Sequence, residues 1–433
     1  MNSIRRTDID TLRAVSVISV IIYHINNTIF PNGYLGVDLF FVISGYVITK
    51  SIFKNIQNNN FSFYRFYLRR AKRILPVLLV VLIATLIFSY IVLLTADFKR
   101  FTESLISSLG FVSNFYFWIT GGYFSTNDHL KPLLHLWSLS VEEQFYLFFP
   151  VFIYLVYKFF NKLKYYLISA IIISVISYYI NFIFLSHTDT VFFLFPTRIW
   201  QFGIGVIFAL APNIKFKNLW MDSFYLLLAI LLIIFNFIYS INFLPDATIM
   251  CLGLGLILFK EVNEKNFVFN IFKIKFLVFI GLISYSLYLW HWPIISLLKY
   301  ISVDFPQTNL IFAACIIIFI LSIITRKYIE EPFLNTYQDN KTIKFISFNY
   351  IMLLIFSILI VSFKNIPSRY DKFPNKIANS IGNIYNCSRF EYIKFGDTYA
   401  CLLNPNKIDI EKDVLFGNSH AYMYGWPYIK SLK

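Results

Sequence analysis

Residues 8–30 read DIDTLRAVSVISVIIYHINNTIF, and this stretch decides the fold because it is an apolar run of membrane length that carries ionisable side chains. Arg13 and His24 are eleven positions apart, which in an α-helix makes roughly three turns and places both side chains on one face, about 17 Å apart. An ionisable residue within a span is costly and indicates a functional site with a partner. The alternative is that each side chain extends to the nearer headgroup region on its own.

The composition requires several further spans. The chain of 433 residues is 58% hydrophobic and 20% aromatic, with a mean hydropathy of +0.64, which lies outside the range of soluble proteins. Apolar runs that cross a bilayer, or nearly so, lie at 10–30, 35–53, 74–95, 143–160, 166–185, 196–211, 220–240, 246–260, 276–298 and 308–329, and an eleventh at 345–363. The sequence therefore predicts an all-α polytopic membrane protein with a ten-helix core and one additional span.

The basic residues predict how the chain is oriented. The formal net charge is +15, which by itself is compatible with a nucleic-acid partner. With the N-terminus in the cytoplasm, most Lys and Arg fall in inner loops and span ends, whereas the outer loops before the tail hold Lys99, Arg100, Lys131 and Lys299. This distribution follows the positive-inside rule and explains the charge without nucleic acid. The first span is expected to remain in the protein, because no cleavage site for a signal peptidase follows it.

Three regions follow from this pattern. Residues 1–335 form the transmembrane domain, 336–363 a linker and the eleventh span, and 364–433 a polar tail outside the membrane. The semi-polar segment 96–139 predicts an outer loop with an interfacial or re-entrant helix near 101–118. In the tail, the loop length and an oxidising compartment favour a disulfide between Cys387 and Cys401.

A basic cluster stands at the start of the third span. Residues 63–76 read FYRFYLRRAKRILP, with Arg70 and Arg73 at helical i, i+3 spacing on one side. Arginine forks suit phosphate recognition, so an anionic cytosolic ligand such as a nucleotide-bearing acyl carrier fits this pair. The alternative is ordinary positive-inside charge.

Other ionisable residues lie in or beside the spans. Glu142 and Glu143, at the mouth of the fourth span, are expected to need cationic or hydrogen-bonded partners such as His24 or an arginine. Asp10 is expected to pair locally with Arg13, and Arg198 needs a partner. His24, in the outer half, is a candidate general base. His291 is either a second catalytic residue or an interfacial anchor beside two tryptophans.

Several motifs together resemble acyltransferase family 3, the bacterial membrane O-acyltransferases that modify surface polysaccharides and peptidoglycan. The resemblance covers residues 5–335 in the order of the family. It is carried by DIDTLRAVSVISVIIYH (8–24), GYLGVDLFFVISGYVIT (33–49), Arg70 and Arg73, HLWSLSVEEQFYLFFP (135–150), SYSLYLWHWP (284–293) and IEEPF (329–333). These motifs add Asp38, Ser44, Trp137, Ser138, Tyr285 and Glu331 to the candidate site residues.

The resemblance implies transfer of an acyl group, usually acetyl from cytosolic acetyl-CoA, to a hydroxyl of a surface glycan on the outer side of the bacterial inner membrane. It makes His24 the catalytic histidine with Arg13 as its partner, assigns the CoA phosphates to Arg70 and Arg73, and places Glu142 and Glu143 around the histidine. Gln201 stands where related chains often carry Glu, which puts an ion pair of Arg198 at that place in doubt. No metal is expected.

The tail resembles the beginning of an SGNH hydrolase-like domain. DVLFGNSHA (413–421) matches the block that supplies the nucleophilic serine, here Ser419. Asn418 replaces the usual Asp, and the blocks that would supply the catalytic base are missing before Lys433, so we expect a truncated, inactive tail.

Two other functions remain open alongside the O-acetyltransferase. A transporter or flippase for an anionic solute or lipid-linked sugar would need a water pathway and no acyl donor. An inactive truncated acyltransferase would turn over only with a separate SGNH protein. The acceptor can be O-antigen, capsule, exopolysaccharide or peptidoglycan.

Overall fold

The protein is described here as a computed structural model, which covers residues 6–121, 128–160, 162–239, 244–302, 308–335, 338–362, 392–395 and 398–401. The helices are α1 (Thr7–Ile25), α2 (Gly36–Gln57), α3 (Phe63–Val92), α4 (Thr95–Leu109), α5 (Ser113–Ile119), α6 (Leu136–Phe160), α7 (Leu163–Ile183), α8 (Thr188–Phe193), α9 (Ile199–Leu210), α10 (Leu219–Ile238), α11 (Thr248–Phe259), α12 (Lys275–Ile301), α13 (Thr308–Thr325), α14 (Glu331–Asn335) and α15 (Asp339–Ser362). Short 3-10 helices occupy Gly33–Leu35, Asp128–Leu130, Phe195–Thr197 and Val268–Lys273, and a π-helix occupies Arg326–Glu330.

The chain divides into two compact units. One contains residues 101–362 together with the chain up to residue 93, and it holds the helical bundle. The other contains residues 94–100 and an antiparallel hairpin of β1 (Tyr392–Phe395) and β2 (Thr398–Cys401), in which Tyr392 pairs with Cys401. Cys387 and Ser419 lie outside the described residues, so the predicted disulfide and the serine of the tail stay predictions.

The predicted all-α polytopic class is confirmed. In the described part of the chain, eight helical segments are long and apolar enough to cross a membrane: Gly33–Gln57, Phe63–Val92, Leu136–Phe160, Leu163–Ile183, Leu219–Ile238, Lys275–Ile301, Thr308–Asn335 and Thr342–Ser362. Helix α1 has 19 residues and carries Asp8, Asp10 and Arg13 in its first two turns. It provides the charged element that the sequence predicts at the start of the chain.

Two of the predicted spans are shorter than the apolar runs from which they were derived. Helices α9 and α11 have 12 residues each, which corresponds to about 18 Å against a hydrocarbon core of roughly 30 Å. The run 196–211 begins in a 3-10 helix with Pro196 at its start, and Pro245 stands just before α11. The predictions of full spans at 196–211 and 246–260 are therefore wrong in length, because both runs include non-helical turns.

The prediction for segment 96–139 also needs a correction. Instead of one helix near 101–118, the structure has α4 and α5, separated by a turn in which Phe111 adopts a positive φ of 52°. A bulky residue in this conformation is uncommon and marks a sharp change of chain direction. The apolar character of the segment is divided between two short helices.

Close helix contacts hold the bundle together at glycines. Helix α12 meets α1 where a Cβ on Gly281 would lie 1.8 Å from the carbonyl oxygen of Asp10. Helices α2 and α9 meet reciprocally, because a Cβ on Gly45 would lie 2.1 Å from the Phe202 carbonyl oxygen and one on Gly205 would lie 2.1 Å from that of Val42. Small residues let helix backbones approach this closely within membranes.

Candidate active site

Two buried imidazoles meet where α1 packs on α12. The Nδ1 atom of His24 lies 3.1 Å from Nε2 of His291, and the two rings stack at 14° with their centroids 5.3 Å apart. His24 is 6% exposed and His291 is 0% exposed. Because both residues are buried inside the bundle, the alternative of headgroup anchors does not describe them.

A third histidine completes a group that we call the histidine cluster, formed by His24, His135 and His291. His135 precedes α6, is buried, and has its ring centroid 5.7 Å from that of His291. Burial lowers the pKa of His135 well below its ordinary value, and the neighbouring His291 acts in the same direction. Neither ring nitrogen of His135 has a hydrogen-bond partner in the part of the chain that the structure covers. The indole of Trp292 contacts His24 edge-on, with centroids 4.4 Å apart.

A charged cavity opens among α1, α2, α3, α6 and α12, and we call it the basic pocket. It encloses about 780 Å³, including space open to solvent. Its polar lining consists of Arg13, Ser44, Arg70, Arg73, Ser138, Glu142, Tyr146, Ser284, Tyr285 and Tyr288. The predicted phosphate-binding pair on α3 and the predicted arginine on α1 thus line one cavity.

The two glutamates of α6 differ in their surroundings. Glu142 lines the basic pocket and accepts hydrogen bonds from the hydroxyls of Ser44 and Tyr146. Glu143 has a buried Oε1 atom without a hydrogen-bond partner among the described residues. The hydrogen bonds of Glu142 come from these two hydroxyl groups, whereas Nδ1 of His24 lies against His291. Glu142 therefore belongs to the basic pocket.

One turn of α12 connects the basic pocket with the histidine cluster. Tyr288 lines the pocket, its hydroxyl donates to the carbonyl oxygen of His135 at 2.9 Å, and it lies 2.6 Å from the hydroxyl of Ser138. The carbonyl oxygen of Tyr288 lies 2.5 Å from Nδ1 of His291. The hydroxyl of Tyr285, also on the pocket wall, donates to the Ile74 carbonyl on α3 at 2.9 Å. Tyr288 thus contacts both regions, because its hydroxyl lies beside Ser138 in the pocket and its carbonyl oxygen lies beside His291 in the cluster.

Arg198 lies just before α9 and pairs with a carboxylate on α2. Its Nη1 atom lies 2.6 Å from Oδ1 of Asp38 on α2, and both side chains are buried. Gln201 donates to the same carboxylate oxygen at 2.9 Å, and the Arg198 guanidinium lies over the ring of Trp137. The amide of Gln201 is a second donor to Asp38, so the ion pair of Arg198 is formed with Asp38 and not with position 201.

Sequence reasoning missed two buried carboxylates. The side chain of Glu331 is 49% exposed, whereas that of Glu330 is 2% exposed and pairs with Arg326 at 2.9 Å. Asp222 forms a buried ion pair with Lys260 at 2.8 Å. An acidic residue at the start of an apolar helix was the available signal for Asp222. Asp10, which the sequence did indicate as a candidate, is also buried, on α1.

Comparison with known protein families identifies the family of the chain. A family model described as an acyltransferase domain matches residues 6–327. The chain belongs to acyltransferase family 3. Acyltransferase family 3 is the family that the sequence motifs predicted, so that prediction is confirmed. No solved structure matches the chain.

Three relatives illustrate this membership of acyltransferase family 3. A protein of Staphylococcus aureus (strain COL) named "Putative O-acetyltransferase" is 35% identical over 346 residues, which cover 75% of this chain and 56% of the relative. The peptidoglycan O-acetyltransferase OatA of Listeria monocytogenes is 30% identical over 343 residues, covering 75% and 55%. An uncharacterized protein of Haemophilus influenzae is 33% identical over 235 residues, covering 51% and 96%. The chain spans about half the length of the first two relatives.

Proposed function

We propose that this protein is a membrane O-acyltransferase that moves an acetyl group from acetyl-CoA to a hydroxyl of a cell-surface glycan. The observation that carries the proposal is the pair of His24 and His291, joined to the basic pocket through Tyr288. A base and a cationic cavity for the phosphates of the donor are the two parts that such a transfer requires. Both occur in the segment that matches the acyltransferase model.

The basic pocket fits an anionic acyl carrier. Arg13, Arg70 and Arg73 bring three guanidinium groups to one cavity, and guanidinium groups bind phosphates through paired hydrogen bonds. The Arg70 guanidinium lies 5.3 Å from the ring centroid of Tyr146, which restricts its position. Bound there, acetyl-CoA supplies an activated thioester.

The histidine cluster suits proton transfer. In the proposed step the acceptor hydroxyl gives its proton to His24, and its oxygen forms a bond to the thioester carbonyl carbon. The carbon–sulfur bond breaks, and the thiolate that leaves takes up the proton from the imidazolium. A dry interior holding both partners would contribute much of the rate by proximity.

The proposed sidedness follows from the charge distribution. With the N-terminus in the cytoplasm, the ends of α2 and α3 that carry Lys50, Arg65 and Arg69 face the cytosolic donor pool. His24, near the other end of α1, then lies toward the outer side, where a surface glycan is available. The name of the Listeria relative supports peptidoglycan as one acceptor class.

The experiment is glycan O-acetylation in cells that produce His24→Ala as the sole copy. We expect acetylation to be lost while the protein remains in the membrane, as measured by mass spectrometry of released glycans and by immunoblotting. His187→Ala is the matched control because His187 is exposed and lies outside the cluster. Normal acetylation by a well-expressed His24→Ala protein would overturn the proposal. Solute flux in liposomes without acetyl-CoA would instead favour the transporter.

A further inference from the structure

The hydrogen bonds of His291 fix which of its nitrogens carries the proton. Its Nδ1 atom lies 2.5 Å from the carbonyl oxygen of Tyr288, and a carbonyl oxygen can only accept a hydrogen bond. Nδ1 must therefore be the protonated nitrogen. The opposite arrangement would place two lone pairs against each other at this distance.

The neutral form of His291 then has an unprotonated Nε2. His291 is fully buried, and its hydrogen-bond contacts in the described part of the chain are to His24 and to the Tyr288 carbonyl. A buried imidazolium that is not paired with a carboxylate is costly. The Lys299 ammonium group donates to the carbonyl oxygen of His24 at 2.9 Å, which brings a positive charge close to the pair. Both conditions favour two neutral imidazoles.

The same argument determines which ring nitrogen of His24 carries the proton. Because Nε2 of His291 can only accept, the contact of 3.1 Å requires Nδ1 of His24 to donate. In a neutral ring this leaves Nε2 of His24 as the basic nitrogen. The tautomer of the base is thus set two hydrogen bonds away, by the backbone carbonyl of Tyr288.

We propose that His291 is a positioning residue that holds His24 in the Nδ1–H tautomer, so that Nε2 of His24 receives the acceptor proton. The inference rests on the proposed function of His24. His291 continues to accept the Nδ1–H bond after His24 becomes an imidazolium, when that bond is charge-assisted and stronger. His291 therefore contributes to the step without contacting substrate, as an orienting group does for a catalytic imidazole.

Three substitutions of His291 test whether it orients His24 or only fills space in the bundle. His291→Gln can still accept from His24, because its amide oxygen reaches the place of Nε2. His291→Asn keeps a polar group at the place of Nδ1, facing Tyr288, but cannot reach His24. His291→Leu removes both contacts, and Ser296→Ala is the packing control because Ser296 is buried one to two turns further along α12.

The kinetic experiment uses the full chain in nanodiscs with acetyl-CoA and, as acceptor, the surface glycan whose O-acetylation is lost in cells producing His24→Ala. We expect kcat of His291→Leu and His291→Asn to fall by about 100- to 10,000-fold, while KM for acetyl-CoA stays within about twofold. His291→Gln is expected to exceed the Leu variant by at least about tenfold in kcat. An Asn variant as active as the wild type, or a Gln variant no better than Leu, would overturn the inference.

A spectroscopic measurement tests the tautomer without turnover. In protein labelled with 15N-histidine, the resonances of His24 are assigned by their loss in His24→Gln. We expect a protonated Nδ1 in the wild type and in His291→Gln, and a different tautomer or a mixture in His291→Leu. If the wild type transfers no acetyl group, the proposed function fails. An Nε2–H tautomer of His24 in the wild type would overturn the inference by itself.

Discussion

At the level of single side chains, the arginines of α3 fall into two groups that differ in their surroundings. Arg70 and Arg73 line the basic pocket, whereas Arg65 and Arg69 are exposed. The i, i+3 spacing could be read from the sequence, but the position of the cavity could not, because it depends on α1, α6 and α12 packing around α3. Because the spacing does not reveal a cavity, the sequence could not exclude that Arg70 and Arg73 are ordinary positive-inside charges.

This division predicts a specific loss of donor binding. The double substitution Arg70→Ala and Arg73→Ala is expected to weaken acetyl-CoA binding at least about tenfold, because each removes charge-assisted hydrogen bonds to phosphate. Isothermal titration with the protein in detergent measures this affinity. Arg65→Ala with Arg69→Ala removes the same charge from the same helix and should leave it unchanged. Equal affinities for both double variants would contradict the assignment.

The buried pair of Asp38 and Arg198 gives a second residue-scale prediction. Arg198→Leu should destabilise the protein by about 3 kcal/mol or more, because it leaves the Asp38 carboxylate buried with Gln201 alone. Adding Asp38→Leu should recover part of this loss. Thermal unfolding of the purified protein measures both. Lys215 and Glu261, an exposed pair 3.4 Å apart, form the control, whose disruption is expected to cost less than about 1 kcal/mol.

At the level of helices, the length of the apolar runs predicted where helices occur, but it predicted the ends of these helices less accurately. The long spans form because their runs are uninterrupted, whereas α9 and α11 are cut short by turns near Pro196 and Pro245. A period of 3.6 residues could not predict that Glu330 rather than Glu331 is buried. The π-helix Arg326–Glu330 changes the helical register at that point. Hydrophobicity therefore predicts helices, but local hydrogen bonding decides which side chain is buried.

The contact of α1 with α12 predicts that Gly281 is required for the site. A Cβ at this position would lie 1.8 Å from the Asp10 carbonyl oxygen, so Gly281→Ala must push α1 away from α12. We expect a destabilisation of about 1–3 kcal/mol and a loss of acetyl transfer, because the same two helices hold His24 against His291. Gly110→Ala is the control, since its nearest neighbour lies 3.4 Å away. Full activity of Gly281→Ala would show that the helices can separate without harm.

At the level of the whole molecule, the sign and placement of charge predict which end of the bundle receives the acyl donor. Arg13 and His24 share the uninterrupted helix α1, so their separation of about 17 Å is shorter than a hydrocarbon core of roughly 30 Å. A donor bound beside Arg13 and an acceptor beside His24 would therefore both lie within the depth of the membrane. The reaction then needs no element that carries the acyl group across the full bilayer.

Labelling of single cysteines tests this orientation at the two ends of α2. Asn27 and Asn60 are both exposed, Asn27 before the start of α2 and Asn60 after its end. In a background without the native cysteines, Asn27→Cys should react with a membrane-impermeant maleimide on intact cells, whereas Asn60→Cys should react only after permeabilisation. The opposite pattern would place the basic loops and the arginine pair outside the cell, away from the cytosolic acetyl-CoA. The arginines would then need another anionic ligand, even if His24 still proved essential.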